Sequence, residues 1–245
     1  MAGYQILGVR SFFDEKTRKQ KKYDAFFEQR WRFDNIDEIF TDPLAVLDRN
    51  KVPESERWNL FYTVNQCGDG KRQFQRMEIL PFDLDGIDLD RRDEYIDPVL
   101  KVLKVKKEKT AIVFSGNGLH FLVKLAEPVD DKGVFNERRG QYKAICTKIN
   151  SELERLRLPG KADTAVFDAA RILRIPGTTN RKPSKLDPSV LIERQAETLQ
   201  PKLVPQSFDF DKISEAPRLD ATQAITLEVL RKYKKNPGTA AMEEC

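Results

Sequence analysis

One run of this chain restricts its fold more than any other: Met77-Glu78-Ile79-Leu80-Pro81-Phe82-Asp83-Leu84-Asp85. It is apolar, of strand length, and ends in two carboxylates two residues apart. Alternate residues of a strand face the same side, so Asp83 and Asp85 would project together from the strand end. Adjacent carboxylates repel unless a cation lies between them. The pair is therefore either a solvated turn or the seat of a divalent ion, and paired ions held in this way serve phosphoryl transfer.

The chain has 245 residues, enough for one large domain or two small ones. With 40% apolar and 33% charged residues it has the composition of a soluble globular protein. No apolar run approaches the length of a membrane helix, so no membrane partner is expected. The opening Met1-Ala2-Gly3-Tyr4-Gln5-Ile6-Leu7 lacks a signal-peptide pattern and reads as a short strand. The 3 cysteines (Cys67, Cys146, Cys245) are scattered and there is 1 histidine, so a zinc site of the usual spacing is not expected. A reducing cytoplasm fits this usage. The net charge of +4 is too small to imply a nucleic-acid partner, but its distribution is uneven. Basic clusters lie at Lys16–Lys22, Lys104–Lys107 and Arg231–Lys235, and the segment Arg171–Lys185 is both basic and motif-like. Basic runs are commonly only solvated faces.

Residues 4–10 and Trp58–Asn65 read as strands, 23–31 and 36–48 as helices, with Asp42-Pro43 breaking the second. Cys67-Gly68-Asp69-Gly70 is a turn leading to the acidic strand. Residues 91–104 carry Tyr95, Val99, Leu100 and Leu103 on one helical side. Thr110–Phe114 and Leu119–Leu125 form a hairpin about Ser115-Gly116-Asn117-Gly118. Apolar residues recur at spacings of three and four from Tyr142 to Leu156, which predicts a long helix over about 136–156, stopped by Pro159-Gly160. A last helix over about 220–235 starts at Asp220 and stops at Pro237-Gly238. Strands and helices alternate without the period of a doubly wound sheet, so an α+β fold with mixed or antiparallel sheets is expected.

Two further segments carry chemistry. In Ser115-Gly116-Asn117-Gly118-Leu119-His120 the sole histidine follows a glycine turn. Glycines admit close backbone approach to a phosphate, and histidine donates hydrogen bonds to phosphate oxygens; a lone histidine is otherwise usually an ordinary satisfied side chain. The second segment runs from Ala162-Asp163 through Phe167-Asp168 to Arg171-Ile172-Leu173-Arg174-Ile175-Pro176-Gly177 and on to Asn180-Arg181-Lys182. Arg171 and Arg174, three apart, would share one face of a helical turn and bind phosphate. Pro176-Gly177 would turn Asn180 and Lys182 back toward them. A helix end dressed with cations is the plainer reading.

Asp83-Leu84-Asp85, Ser115–His120 and Asp163 followed by the Arg171–Thr178 stretch, in this order, resemble the motifs of the archaeo-eukaryotic primase (AEP) superfamily, in particular its phage and plasmid primase-polymerases. The resemblance covers about residues 55–190 and includes the strand Tyr62-Thr63-Val64-Asn65. It implies a catalytic domain over 1–205, an RRM-like unit plus an N-terminal αβ unit, and a C-terminal tail over 206–245 with one helix. It implies a template-dependent nucleotidyltransferase, a DNA primase or primase-polymerase, acting on NTPs or dNTPs and single-stranded DNA. Two Mg²⁺ or Mn²⁺ ions would sit on Asp83, Asp85 and a third aspartate. Asp163 has the family's spacing of eight residues before Arg171, with Asp168 the runner-up. Nucleotide would contact Ser115, Asn117, Gly118, His120, Arg171, Arg174, Asn180 and Lys182, with Lys71, Arg72 and Arg76 as weaker candidates. Where the family often has serine two residues before the histidine, this chain has Gly118, whose backbone N–H is expected to replace the hydroxyl.

No Gly-x-x-x-x-Gly-Lys-Ser/Thr phosphate loop occurs, so a replicative helicase would be a separate polypeptide. Two rivals stay open. A haloacid-dehalogenase-type phosphatase also uses Asp-x-Asp after an apolar strand, and a non-catalytic single-strand-binding replication subunit would share the basic surface. A relaxase-type initiator requires a histidine pair, which one histidine excludes.

Overall fold

The computed structural model describes residues 3–14, 19–23, 31–52, 58–67, 76–129, 132–168, 171–184, 187 and 190–215. The predicted helix over 220–235, the basic cluster 231–235, Lys16 to Arg18, Gly68 to Gly70, Lys71 and Arg72 lie outside these residues. In chain order the elements are β1 (Tyr4–Asp14), β2 (Lys19–Tyr23), β3 (Trp31–Phe33), α1 (Glu38–Thr41), α2 (Pro43–Arg49), β4 (Trp58–Thr63), β5 (Met77–Asp85), α3 (Ile96–Leu103), β6 (Thr110–Phe114), β7 (Gly118–Val129), α4 (Lys132–Arg155), β8 (Lys161–Ala162), β9 (Ile172–Arg174), β10 (Thr179–Pro183), β11 (Leu191–Gln195), β12 (Glu197–Gln200) and α5 (Phe210–Ser214).

The fold is α+β, and every pairing between these strands is antiparallel. One sheet has the order β2-β1-β4-β9, with β3 also on β1; a second has the order β12-β6-β7-β5-β8; β10 and β11 form a separate ribbon. No described helix is long and apolar enough to cross a membrane. Most predicted elements lie where the sequence set them, including the Asp42-Pro43 break, where the Asp42 side chain caps α2 by accepting from the Ala45 N–H. The predicted helix over 23–31 is not supported at its ends. Tyr23 closes β2 and Trp31 opens β3, while residues 24–30 lie outside the described set.

The second sheet separates two apolar cores. On one face Leu80, Phe82 and Leu84 of β5 and Leu119, Phe121 and Val123 of β7 pack against α3 and α4. On the other, Ile79, Val113 and Leu122 meet Ile6, Tyr62 and Leu173 of the first sheet and Ile39, Phe40 and Val46 of α1 and α2. Alternation along β5 therefore sends Asp83 and Asp85 to the face toward the first sheet, at the strand end. Pro81 is tolerated within β5 because its backbone points to the edge away from β7. There Tyr142 Oη donates to the Pro81 carbonyl at 2.8 Å, and two residues on the Asp163 N–H donates to the Asp83 carbonyl at 2.8 Å. The start of β5 is irregular, its register shifting between Met77 and Ile79. Buried Asn65 fills that defect: its Oδ1 accepts from the Glu78 and Ile79 N–H groups at 2.8 and 2.7 Å, and its Nδ2 donates to Ile79 O at 2.9 Å.

The chain divides into two compact units, Met1–Ser214 and Glu215–Cys245. The stretch 206–214, set with the tail in the sequence reading, packs on the first unit. The Gln206 N–H donates to Lys124 O at 3.0 Å, and Phe208, Phe210 and Ile213 join the α3–α4 core.

Gly118 pairs with Asp85 across β5–β7, and a Cβ there would stand 2.1 Å from the Leu84 carbonyl oxygen. Gly118→Ala must push two paired strands apart and should cost about 2–3 kcal/mol in urea unfolding. Gly140→Ala is the internal control. Its Cβ meets nothing within 4 Å at this exposed position of α4 and should add about 0.5–1 kcal/mol. A Gly118→Ala protein as stable as its parent would contradict the close approach.

Candidate active site

Asp83 and His120 are cross-strand partners, as are Asp85 and Gly118. The turn before His120 closes on itself: the Ser115 N–H donates to Gly118 O at 2.9 Å, and the Gly118 N–H donates to Ser115 Oγ at 3.1 Å. The donor expected of Gly118 is thus already engaged. What glycine supplies here is the missing Cβ that lets β7 lie against Leu84.

His120 is 4% exposed. Its Nε2 lies 3.6 Å from Asp83 Oδ1, beyond hydrogen-bond range, and its buried Nδ1 has no hydrogen-bond partner among the described residues. Burial, with Arg174, Arg171 and Lys182 nearby, pushes the imidazole down to about 3. The ring is therefore neutral and Asp83–His120 is no ion pair. Asp83 is displaced the other way. Burial first, then the Asp85 and Asp163 charges, push its carboxyl up to about 7 against the opposing pull of Arg171 and Lys182.

Asp163 follows β8, whose Ala162 pairs with Leu84. Its backbone bond to Asp83 O sets the two residues side by side. Its carboxylate accepts from Arg171 Nη2 at 3.2 Å and from the Ala165 N–H at 2.8 Å. Asp168 is exposed, its N–H donating to Val166 O and its carbonyl accepting from the Arg171 N–H. Asp83, Asp85, Asp163, His120, Arg171 and Lys182 thus gather at one end of β5 and β7.

The helical turn expected to carry Arg171 and Arg174 is not present. Ile172–Arg174 is strand β9, paired with Phe61, Tyr62 and Thr63 of β4. Pro176 disfavours the α region at Ile175, and the Ile-Leu pair suits an extended chain. Arg171 bonds Asp163, and its buried Nε has no partner among the described residues. Arg174 is buried. Its Nη1 donates to Asn59 Oδ1 at 2.8 Å and its Nη2 to Asn180 Oδ1 at 3.0 Å, and its guanidinium lies 4.5 Å from the Phe61 ring centroid. Burial and Arg181 lower its pKa to about 9. Asn180 in turn donates to Ser115 O at 2.6 Å, so the Pro176-Gly177 turn does return the chain to the site. Arg76 pairs with Glu78 at 3.1 Å, at the far end of β5 from the aspartates.

Two residues went unread in the sequence. Asn59 Oδ1 accepts from Arg174 and also from the Arg181 N–H at 2.8 Å. A polar amide inside the aromatic run Trp58-Asn59-Leu60-Phe61 was a legible signal. Arg194, which donates to Asn117 Oδ1 at 2.6 Å, had none, being 77 residues distant.

Among the described residues no three His, Cys, Asp or Glu side chains converge closely enough to enclose a metal ion. Asp163 is turned to Arg171, and Asp85 is exposed. The donor set nevertheless fits a hard divalent cation: three carboxylates, with Asp85 and Asp163 near enough to Asp83 to raise its pKa.

No protein-family model and no curated protein matches the chain. Among solved structures it is similar to the AEP domain of the cyanophage S-2L primase-polymerase, at 12% identity over 86% of this chain and 87% of that one, with TM-score 0.43. It is similar to primase RepB′ at 16% identity over 99% of this chain and 64% of that one, with TM-score 0.38. It is also similar to the polymerase domain of Mycobacterium tuberculosis Ligase D in complex with DNA, at 14% identity over 87% and 80%, with TM-score 0.43. At such identity and superposition the likeness assigns no residue a role.

A carboxyl whose folded pKa exceeds its unfolded one gives stability that is full below the unfolded value and lost as pH rises through the folded one. For Asp83 that window runs from about 4 to above 7. In chelator-treated protein Asp83→Asn should therefore melt several degrees higher than the parent at pH 8, with the gap closing toward pH 4. A lower midpoint for the variant at pH 8 would mean that the buried charge is not a penalty.

Proposed function

We propose that this chain is a template-dependent nucleotidyltransferase, a DNA primase or primase-polymerase that makes or extends primers on single-stranded DNA. One observation carries the reading. A buried, neutral His120 with an uncommitted ring nitrogen lies between three carboxylates and a group of cations at one end of β5 and β7. Carboxylates suit metal ions, and the cations and imidazole suit the polyanion such ions accompany.

In the reaction the primer 3′-hydroxyl bonds the α-phosphorus of the incoming nucleotide and pyrophosphate leaves. Asp83, Asp85 and Asp163 would hold two Mg²⁺ or Mn²⁺ ions, which supply charge neutralisation and a more acidic attacking hydroxyl. Neutral His120 keeps one N–H to donate to a phosphate oxygen, and its burial excludes competing water. Lys182 is exposed, its ammonium donates no hydrogen bond among the described residues, and it acts electrostatically on both Asp83 and His120, which suits it to the triphosphate. Arg171 would exchange its bond to Asp163 for phosphate, freeing that carboxylate for metal. Arg174, with both terminal nitrogens bonded to amides, acts instead by holding Asn180 under the Ser115 carbonyl. Asp163 is favoured over Asp168 because its backbone is tied to Asp83. The template would be single-stranded, and unwinding would fall to a separate helicase. A phosphatase acting through Asp83 and Asp85 leaves His120 and the cations unexplained.

Nucleotide incorporation on a primed single strand with Mn²⁺ tests this. Asp83→Ala, Asp85→Ala and His120→Ala should each reduce the rate on the order of a hundred- to a thousandfold. Asp163→Ala should match them and Asp168→Ala should stay near the parent. Full activity of Asp83→Ala, or none in the parent, sinks the assignment.

A further inference from the structure

The turn Ser115–Gly118 is wedged between two elements. On one side is β5, with the Leu84 carbonyl where a Gly118 Cβ would be. On the other is the β10–β11 ribbon. Gly116 has φ +87°, and a Cβ there would lie 3.0 Å from both Arg194 O and Asn180 Cβ. Asn180 and Arg194 are directly paired across the ribbon, and both reach the turn, Asn180 to Ser115 O and Arg194 to Asn117 Oδ1, each at 2.6 Å. The ribbon is itself anchored, through Arg174 on Asn180 and through Asn59, which bonds both backbone groups of Arg181.

We propose that Arg194 is a positioning residue for the incoming nucleotide, acting by fixing the amide of Asn117. The inference rests on the nucleotidyltransferase reading of the site. A guanidinium has donors only, so Asn117 must turn its oxygen to Arg194. Its NH₂ group is left as the donor that a phosphate oxygen needs. Without Arg194 the amide is free to rotate and present its oxygen, which repels phosphate. Arg194 acts through Asn117, whose neighbour Gly118 pairs with Asp85, by selecting which end of the amide is left for a phosphate oxygen. Two clefts on the helix side of the second sheet, of about 410 and 520 Å³, offer no comparable device. Arg138 of the first is bonded to Asp211, and Lys104, Lys148 and Arg155 of the second are bonded to Lys212 O, Ile213 O and Glu152.

Binding of a nucleoside triphosphate with Mg²⁺ and no template can be followed by the imidazole NMR signals of His120, the chain's 1 histidine. Arg194→Ala, Asn117→Ala and Asn117→Asp should each raise the apparent Kd about tenfold. The aspartate variant is decisive, because it keeps the acceptor for Arg194 but loses the donor. The Arg194→Ala/Asn117→Ala double variant should be no worse than either single, and Arg194→Lys should recover most of the affinity. In extension assays the same variants should raise the nucleotide KM with kcat within about twofold of the parent. Additive single effects, or Asn117→Asp binding like the parent, overturn the proposal. A parent that binds nucleotide while all variants match it defeats this inference alone. A parent that binds none defeats the functional reading and this inference with it.

Discussion

The register of β5 against β7 is the constraint on which the rest of the structure depends. A slip of one residue would turn Phe82 and Leu84 out of the α3–α4 core and bury Asp83 and Asp85 among Leu103, Ile145 and Ile149. The apolar residues therefore hold the aspartates in place, although they touch no functional group. Gly118 completes the lock, since only a residue without Cβ lies flat against the Leu84 carbonyl. His120, two residues on, then falls opposite Asp83 as a consequence of pleat geometry alone.

The electrostatics built on that register are unbalanced by design of the fold. Asp83 is buried beside like charges and rises, His120 is buried beside cations and falls, and the two stand 3.6 Å apart without bonding. Asp163 and Arg171 hold each other on the rim. That pair is partly exposed, so screening leaves it weak enough to open when stronger partners arrive. Both signs of charge thus lie in one small region, which is what the metal-bound polyphosphate of the proposed reaction would require.

Much of this was legible in the sequence, because it follows from short-range rules. Alternation placed the two aspartates together, the glycine turn placed His120, and the helical period marked α4. The errors arose where local rules are degenerate. Arg171-Ile172-Leu173-Arg174 fits a helical turn by spacing, yet its residues pair with Phe61, Tyr62 and Thr63, more than a hundred positions earlier. Tyr23 and Trp31 were read as helix ends and instead pair with β1. The engaged N–H of Gly118 and the grip of Arg194 on Asn117 depend on tertiary contacts that no spacing within the chain encodes.

Arg174 shows how the fold keeps positive charge where the site needs it. A buried guanidinium is most simply stabilised by a carboxylate, which would cancel its field. Here its terminal nitrogens meet amide oxygens of Asn59 and Asn180, and the Phe61 ring supports it from one side. Amides satisfy hydrogen bonds without neutralising charge. The field of Arg174 therefore survives to add to burial, the larger cause, in keeping His120 neutral, while Asn180 transmits its position to the Ser115 carbonyl and the turn beyond. Aspartate at either position would cancel that charge and would also lose the amide donor that Asn59 gives to Arg181 O and Asn180 to Ser115 O, so an amide meets both demands where a carboxylate meets neither.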